Sequence, residues 1–206
     1  PDPFTIIDVN AVKNGDWFTS VAGPGGVLRK YGLAYVAELE KNKRYPLCIW
    51  PPHCLIGSWG QSVFPVLFDA LRKWESKRSG RNVNWVAKGS NPYTEHYGAI
   101  QADVPDLHQM ITGQVDPQTQ VNVDFLKTVD MADLVGMSGE ASSHCLANTA
   151  RDACNFFADD RLAKKLVFIK DASSPVPTFE KLTDDFIAEL TPRGMKTATT
   201  VDFLAA

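Results

Sequence analysis

This sequence of 206 residues is poor in several features that would have named a class at once. It has only four cysteines, at positions 48, 54, 145 and 154, and no Cys-x-x-Cys pair. That is too few for a disulfide scaffold, so a packed core must hold the fold, and a reducing, cytoplasmic setting is expected. No block of Lys or Arg stands out: 21 basic residues meet 24 acidic ones, for a formal charge of −3 and an isoelectric point near 5.8. A nucleic-acid or anionic-membrane partner therefore has no electrostatic support. No run approaches 18 apolar residues, which excludes an ordinary transmembrane helix. There is no internal repeat. A mean hydropathy of −0.17 with 44% hydrophobic residues argues against disorder. Glycines 23, 25 and 26 lack the Gly-x-Gly-x-x-Gly spacing of a phosphate loop.

What is present is a succession of short apolar runs and amphipathic stretches. Phe4–Val9 reads as a strand, residues 10–30 as irregular, and Tyr31–Lys41 as a helix. Tyr45–Gly60 holds two consecutive prolines, which bar a regular helix or central strand, so it reads as a packed aromatic loop. Val63, Val66, Leu67, Ala70, Leu71 and Trp74 recur at three and four and predict a helix over 61–77. Asn82–Ala87 alternates and reads as a strand ending at Lys88.

Further on, a helix is expected at 121–130, a strand over Asp133–Ser138 and a helix from near His144. That helix places Ala147, Ala150, Ala153, Cys154 and Phe157 on one face. Lys165–Ile169, Thr183–Leu190 and Lys196–Thr200 then read as strand, helix and strand. The alternation predicts a single α/β domain over 1–206, with a mostly parallel sheet between helices on both faces. Ligands of such sheets sit beyond the carboxyl ends of the strands. Lys88 and the turn ahead of Cys145 both fall at such ends.

Cys145 is the leading chemical candidate, because a thiol where a helix begins meets free N–H groups and a positive dipole end that favour thiolate. The competing reading is a buried structural thiol. Cys154, inside the same helix, reads as core. Lys88, at a strand end, can stabilise a thiolate or a developing negative charge; otherwise it is a surface lysine. His53 stands in the rigid Trp50-Pro51-Pro52-His53-Cys54 stretch as a metal ligand, a base or a satisfied loop residue. His96 and His108 read as surface or loop.

Three motifs together carry a resemblance. They are Trp50-Pro51-Pro52-His53-Cys54 with Gly57 and Gly60, Lys88-Gly89 followed by Tyr97-Gly98-Ala99-Ile100, and the run from Gly139 through Cys145 to Ala153. In order and spacing the chain resembles the isochorismatase-like cysteine hydrolase superfamily, which includes nicotinamidases, from about residue 4 to the end. The resemblance implies a three-layer α/β sandwich and an Asp–Lys–Cys triad. Lys88 matches the lysine and Cys145 the nucleophile. The amides of Ala141 and Cys145 match the oxyanion hole, with a non-proline cis peptide at Glu140–Ala141. Trp50 matches a pocket-wall aromatic. His53 matches a ligand to a divalent metal (Zn, Fe or Mn). A small-molecule amide substrate and a homo-oligomer are further implications.

One departure matters. The family opens with a strand ending in the catalytic aspartate, followed by an Asp-x-His metal motif. Asp8 imitates the aspartate, yet no Asp-x-His lies between Asp8 and His53. Phe4–Trp17 resembles instead a segment that follows the metal motif in long bacterial members. The expectation is therefore a C-terminal portion lacking the first strand, the triad aspartate and most metal ligands, with Asp8 as catalytic base the lesser alternative. Three functions are weighed: a thiol-dependent amide hydrolase, an isochorismatase-type ether hydrolase (which Cys145 argues against), and a non-catalytic or incomplete subunit.

Overall fold

The computed structural model describes residues 1–18 and 27–205, in two compact units, Pro1–Ala87 and Lys88–Ala206. The glycine cluster at 23–26 lies outside the described residues.

In the first unit, β1 (Ile6–Ile7) pairs antiparallel with β2 (Leu47–Cys48). Helix α1 (Val9–Asn14) starts at Asp8, whose carboxylate accepts the Ala11 N–H at 2.7 Å. It stops at Gly15, where a φ of 83° suits a residue without Cβ. Residues 10–30 were expected to be irregular; a capped single-turn helix needs no long periodic run, which is why the pattern did not show it. Helix α2 (Val27–Lys41) buries Tyr35, Val36 and Leu39, while α1 buries Val9 and Val12. Helix α3 (Pro65–Ser76) forms where the spacing placed it, with Pro65 in its first turn. Its apolar stripe, however, is open: Val66, Leu67 and Phe68 are all exposed.

Asn82–Ala87 adopts no strand. Alternation marks a segment that fits a sheet, but a strand exists only by pairing, and among the described residues no neighbour pairs with it.

The second unit carries a parallel sheet of β3 (Val135–Met137), β4 (Leu166–Ile169) and β5 (Lys196–Ala198), in that order. The central strand β4 is buried at all four residues, as a strand covered on both faces should be. On one face, Leu166 and Phe168 join the core with α5 (Val123–Met131), α6 (Ala147–Phe156) and α7 (Glu180–Leu190), through Leu126, Ala150, Phe186 and Leu190. Phe168 and Phe186 meet edge to face at 5.2 Å. The other face belongs to α8 (Thr200–Ala205): Gly136 stands beside Val167, and a Cβ there would meet the Phe203 ring at 2.8 Å. Asp171 anchors α8 by accepting the Thr200 N–H and hydroxyl, each at 2.7 Å, and the hydroxyl bond foremost lowers the pKa of the Asp171 carboxyl. The unit is thus an α/β sandwich of three layers. A short α4 (Leu107–Thr112), closed by Gly113, lies earlier in the same unit.

Candidate active site

The strand β3 ends at Met137, and the chain then turns through Gly139, where φ is 118°. The Glu140–Ala141 peptide is cis, at the position the resemblance implied. A wide π-type turn over Ser142–Leu146 leads into α6 and places Cys145 on its final part. This turn is fastened from behind. Gly139 N–H donates to the Ala172 carbonyl at 3.0 Å, and Ser142 N–H to the Ser174 carbonyl at 2.9 Å. The Ser143 hydroxyl accepts the Val176 N–H and lies 2.9 Å from His144 Nδ1. His144 packs edge to face on Phe179 at 5.1 Å; burial pushes its pKa down to about 4, so the ring is neutral near pH 7.

Cys145 is half-buried and its thiol is free. The Lys88 ammonium lies 3.4 Å from Cys145 Sγ across 57 residues of sequence, and it donates to the His96 carbonyl at 2.9 Å. Two residues singled out on different grounds are therefore in contact. Cys154 is the opposite case, since burial pushes its thiol up to about 11. Cys145 also borders a cavity of about 630 Å³, lined by residues that include Ile100, Val129, Val135, Met137 and Leu146. The cavity runs along β3 from Leu134 to Glu140.

A main-chain carbonyl and two side chains that sequence reasoning did not single out shape this site. The His96 carbonyl holds Lys88. Thr149, one turn after the cysteine, donates to the Cys145 carbonyl at 2.7 Å and accepts the Ala99 N–H at 3.0 Å. Asp152 lies so close to Gly98 that a Cβ there would fall 2.5 Å from its Oδ2. The only available signal was that Thr149 and Asp152 follow Cys145 by four and seven residues, one helical face. The His96 imidazole has a lowered pKa, through burial first and the Lys88 charge second.

The remaining expected residues belong to the first unit. Trp50 and His53 belong to the first unit, their rings 6.3 Å apart, and His53 Nδ1 is 2.7 Å from the Pro51 carbonyl. Asp8 serves as the cap of α1. One Asp-x-His does occur, Asp106-Leu107-His108 at the start of α4, downstream of Lys88 and not where the family's metal motif stands. Among the described residues no group of three His, Cys, Asp or Glu is arranged to hold a metal ion. No helix among them is long and apolar enough to cross a membrane.

Comparison with solved structures places this fold. The chain is similar to the yeast nicotinamidase Pnc1p bound to the inhibitor nicotinaldehyde, with a TM-score of 0.53 and 17% identity over 76% of this chain and 61% of that one. It is similar to an Acinetobacter baumanii nicotinamidase pyrazinamidase, with a TM-score of 0.52 and 19% identity over 77% of this chain and 62% of that one. The chain has the isochorismatase-like cysteine hydrolase fold of these enzymes. It spans about three fifths of their length. No family model matches it, and no curated protein does.

Proposed function

We propose that this chain carries the nucleophile and the cation of a thiol-dependent hydrolase that cleaves the amide bond of a small molecule. The observation that supports it is the 3.4 Å approach of Lys88 Nζ to Cys145 Sγ beside the cavity. An ammonium at that distance can steady the negative charge on sulfur as the thiol proton is lost. The thiolate adds to the amide carbon, and the Ala141 and Cys145 N–H groups take the resulting oxyanion. The C–N bond breaks as the amine leaves with the proton the thiol lost; water then adds to the thioester and releases the acid. The carboxylate that ferries this proton is the triad aspartate implied by the resemblance, and no residue of this chain is assigned to it. The small number of cysteines suits a reducing, cytoplasmic setting.

The test is covalent trapping. Nicotinaldehyde, the inhibitor bound in the yeast enzyme, should shield Cys145 from iodoacetamide by forming a thiohemiacetal. Cys145→Ala should abolish ammonia release from nicotinamide or pyrazinamide while the melting profile stays intact. Full activity in that variant overturns the assignment.

A second reading, an incomplete subunit, is favoured by the outer edge of β3. Among the described residues no strand pairs with it, and the cavity lies along it. Parallel sheets are normally covered, and an open edge is a site for another strand. If these 206 residues are inactive alone and gain activity when a further polypeptide segment is supplied, this reading stands.

A further inference from the structure

We infer that Thr149 is the positioning residue that keeps Lys88 against Cys145, its hydroxyl joining the Cys145 main chain to the loop that carries the lysine's anchor. The inference rests on the proposed reactive pair.

The Lys88 side chain is long and exposed, and its stem alone would not hold the ammonium in one place. What holds it is a main-chain acceptor, the His96 carbonyl at 2.9 Å. The place of that carbonyl depends on the loop 95–103, which is braced internally. Tyr97 N–H donates to Asp103 Oδ2 at 2.9 Å, Asp103 N–H to the Glu95 carbonyl at 2.9 Å, and Asn122 N–H to the Ile100 carbonyl at 2.7 Å. The loop meets α6 where Gly98 lies against Asp152, 2.5 Å from Oδ2 to where a Cβ would stand.

Thr149 fastens this approach. A hydroxyl has one proton and two lone pairs, and here both functions are in use. The proton goes to the Cys145 carbonyl at 2.7 Å, and a lone pair takes the Ala99 N–H at 3.0 Å. The first bond alone would be an ordinary local contact of a helical threonine with the carbonyl four residues back. The second reaches 50 residues along the chain, to a residue three beyond His96. The path from sulfur to ammonium therefore runs through the Cys145 main chain, Thr149, Ala99 and His96 to Lys88. If the hydroxyl is lost, the loop keeps its own braces but loses its tie to the Cys145 main chain, and the ammonium it anchors shifts away from the sulfur.

The experiment is site-resolved alkylation by iodoacetamide at pH 7 on the full chain, read by peptide mass spectrometry, with exposed Cys54 as internal reference and buried Cys154 as a monitor of α6. Lys88→Met should slow Cys145 about tenfold and Thr149→Val about fivefold, because the ammonium steadies the negative charge on the attacking sulfur. Thr149→Ser, which restores the hydroxyl, should stay within about twofold of the parent. In a Lys88→Met background, Thr149→Val should add nothing. A Thr149→Val protein that reacts at the parent rate overturns the inference, as does one that slows Cys145 equally without Lys88. Should valine loosen α6 and expose Cys154, the pair Thr149→Ser and Thr149→Ala decides: serine fast and alanine slow supports the role, and equal rates overturn it. If Lys88→Met leaves Cys145 unchanged, the reactive pair and this inference both fall. If Lys88→Met slows it and removal of the Thr149 hydroxyl does not, only the role of Thr149 falls.

Discussion

Helices α3 and α6 carry much the same message in sequence and meet opposite fates. In each, apolar residues recur at three and four, and each folds as a helix. In α6, Ala147, Ala150, Ala153 and Cys154 are all buried in the core of the second unit. In α3, Val66 is 72% exposed and no residue is buried. Periodicity therefore specifies which face could be buried, while burial itself depends on a partner surface. Alanine and cysteine on α6 let β4 and α7 come close, and the large side chains of those elements fill the space between.

The contrast makes graded predictions. Truncation in the α6 neighbourhood should have the largest effect. Phe186→Ala removes a fully buried ring that packs on Phe168, and denaturant unfolding of the second unit should show a loss of about 3–5 kcal/mol. A loss below 1 kcal/mol would mean that this core is not packed as described.

Thiol labelling sharpens the same contrast. Cys54 is exposed, and Cys154 is buried with its pKa raised by that burial. Iodoacetamide at pH 8 should modify Cys54 at least about a hundredfold faster. Equal rates would show α6 to be open.

Acid comes next. Burial holds His144 near 4 in the folded chain against 6.5 when unfolded. Its folded pKa is depressed, so its share of stability is fully present above about pH 6.5 and is lost as pH falls towards 4. His96, lowered as well, acts in the same direction. Melting temperatures taken between pH 7 and 4 should fall through this window, and His144→Asn should flatten the slope. An unchanged slope would relocate the acid sensitivity to other groups.

The smallest effect belongs to α3. Leu67→Ala removes a side chain that is 55% exposed, and stability should change by less than about 1 kcal/mol. A loss as large as that of Phe186→Ala would reveal a partner surface on this helix.

Much of the architecture was legible because the signals are local. The strands β3, β4 and β5 fall inside Asp133–Ser138, Lys165–Ile169 and Lys196–Thr200, and helices α5 and α7 lie within a few residues of their expected spans. Apolar runs and helical periods are written within ten residues, so one sequence suffices. Asn82–Ala87 failed because a strand is a pairing and not a property of six residues. Short capped helices such as α1 escaped because they depend on single residues, Asp8 and Gly15, and not on a repeat.

The site divides in the same way. Cys145 was legible from a small-residue turn before a helix, and Lys88 from its place after the alternating Asn82–Ala87, although that segment forms no strand. That the two touch, across 57 residues, depends on a carbonyl at 96 and a hydroxyl at 149 that no pattern distinguishes from ordinary loop and helix chemistry. By itself the sequence determined the alternation of elements and singled out Cys145 and Lys88 as candidates. Only the tertiary structure decided which apolar face is covered and how far an ammonium stands from a sulfur, because both are distances between segments that the chain order leaves free.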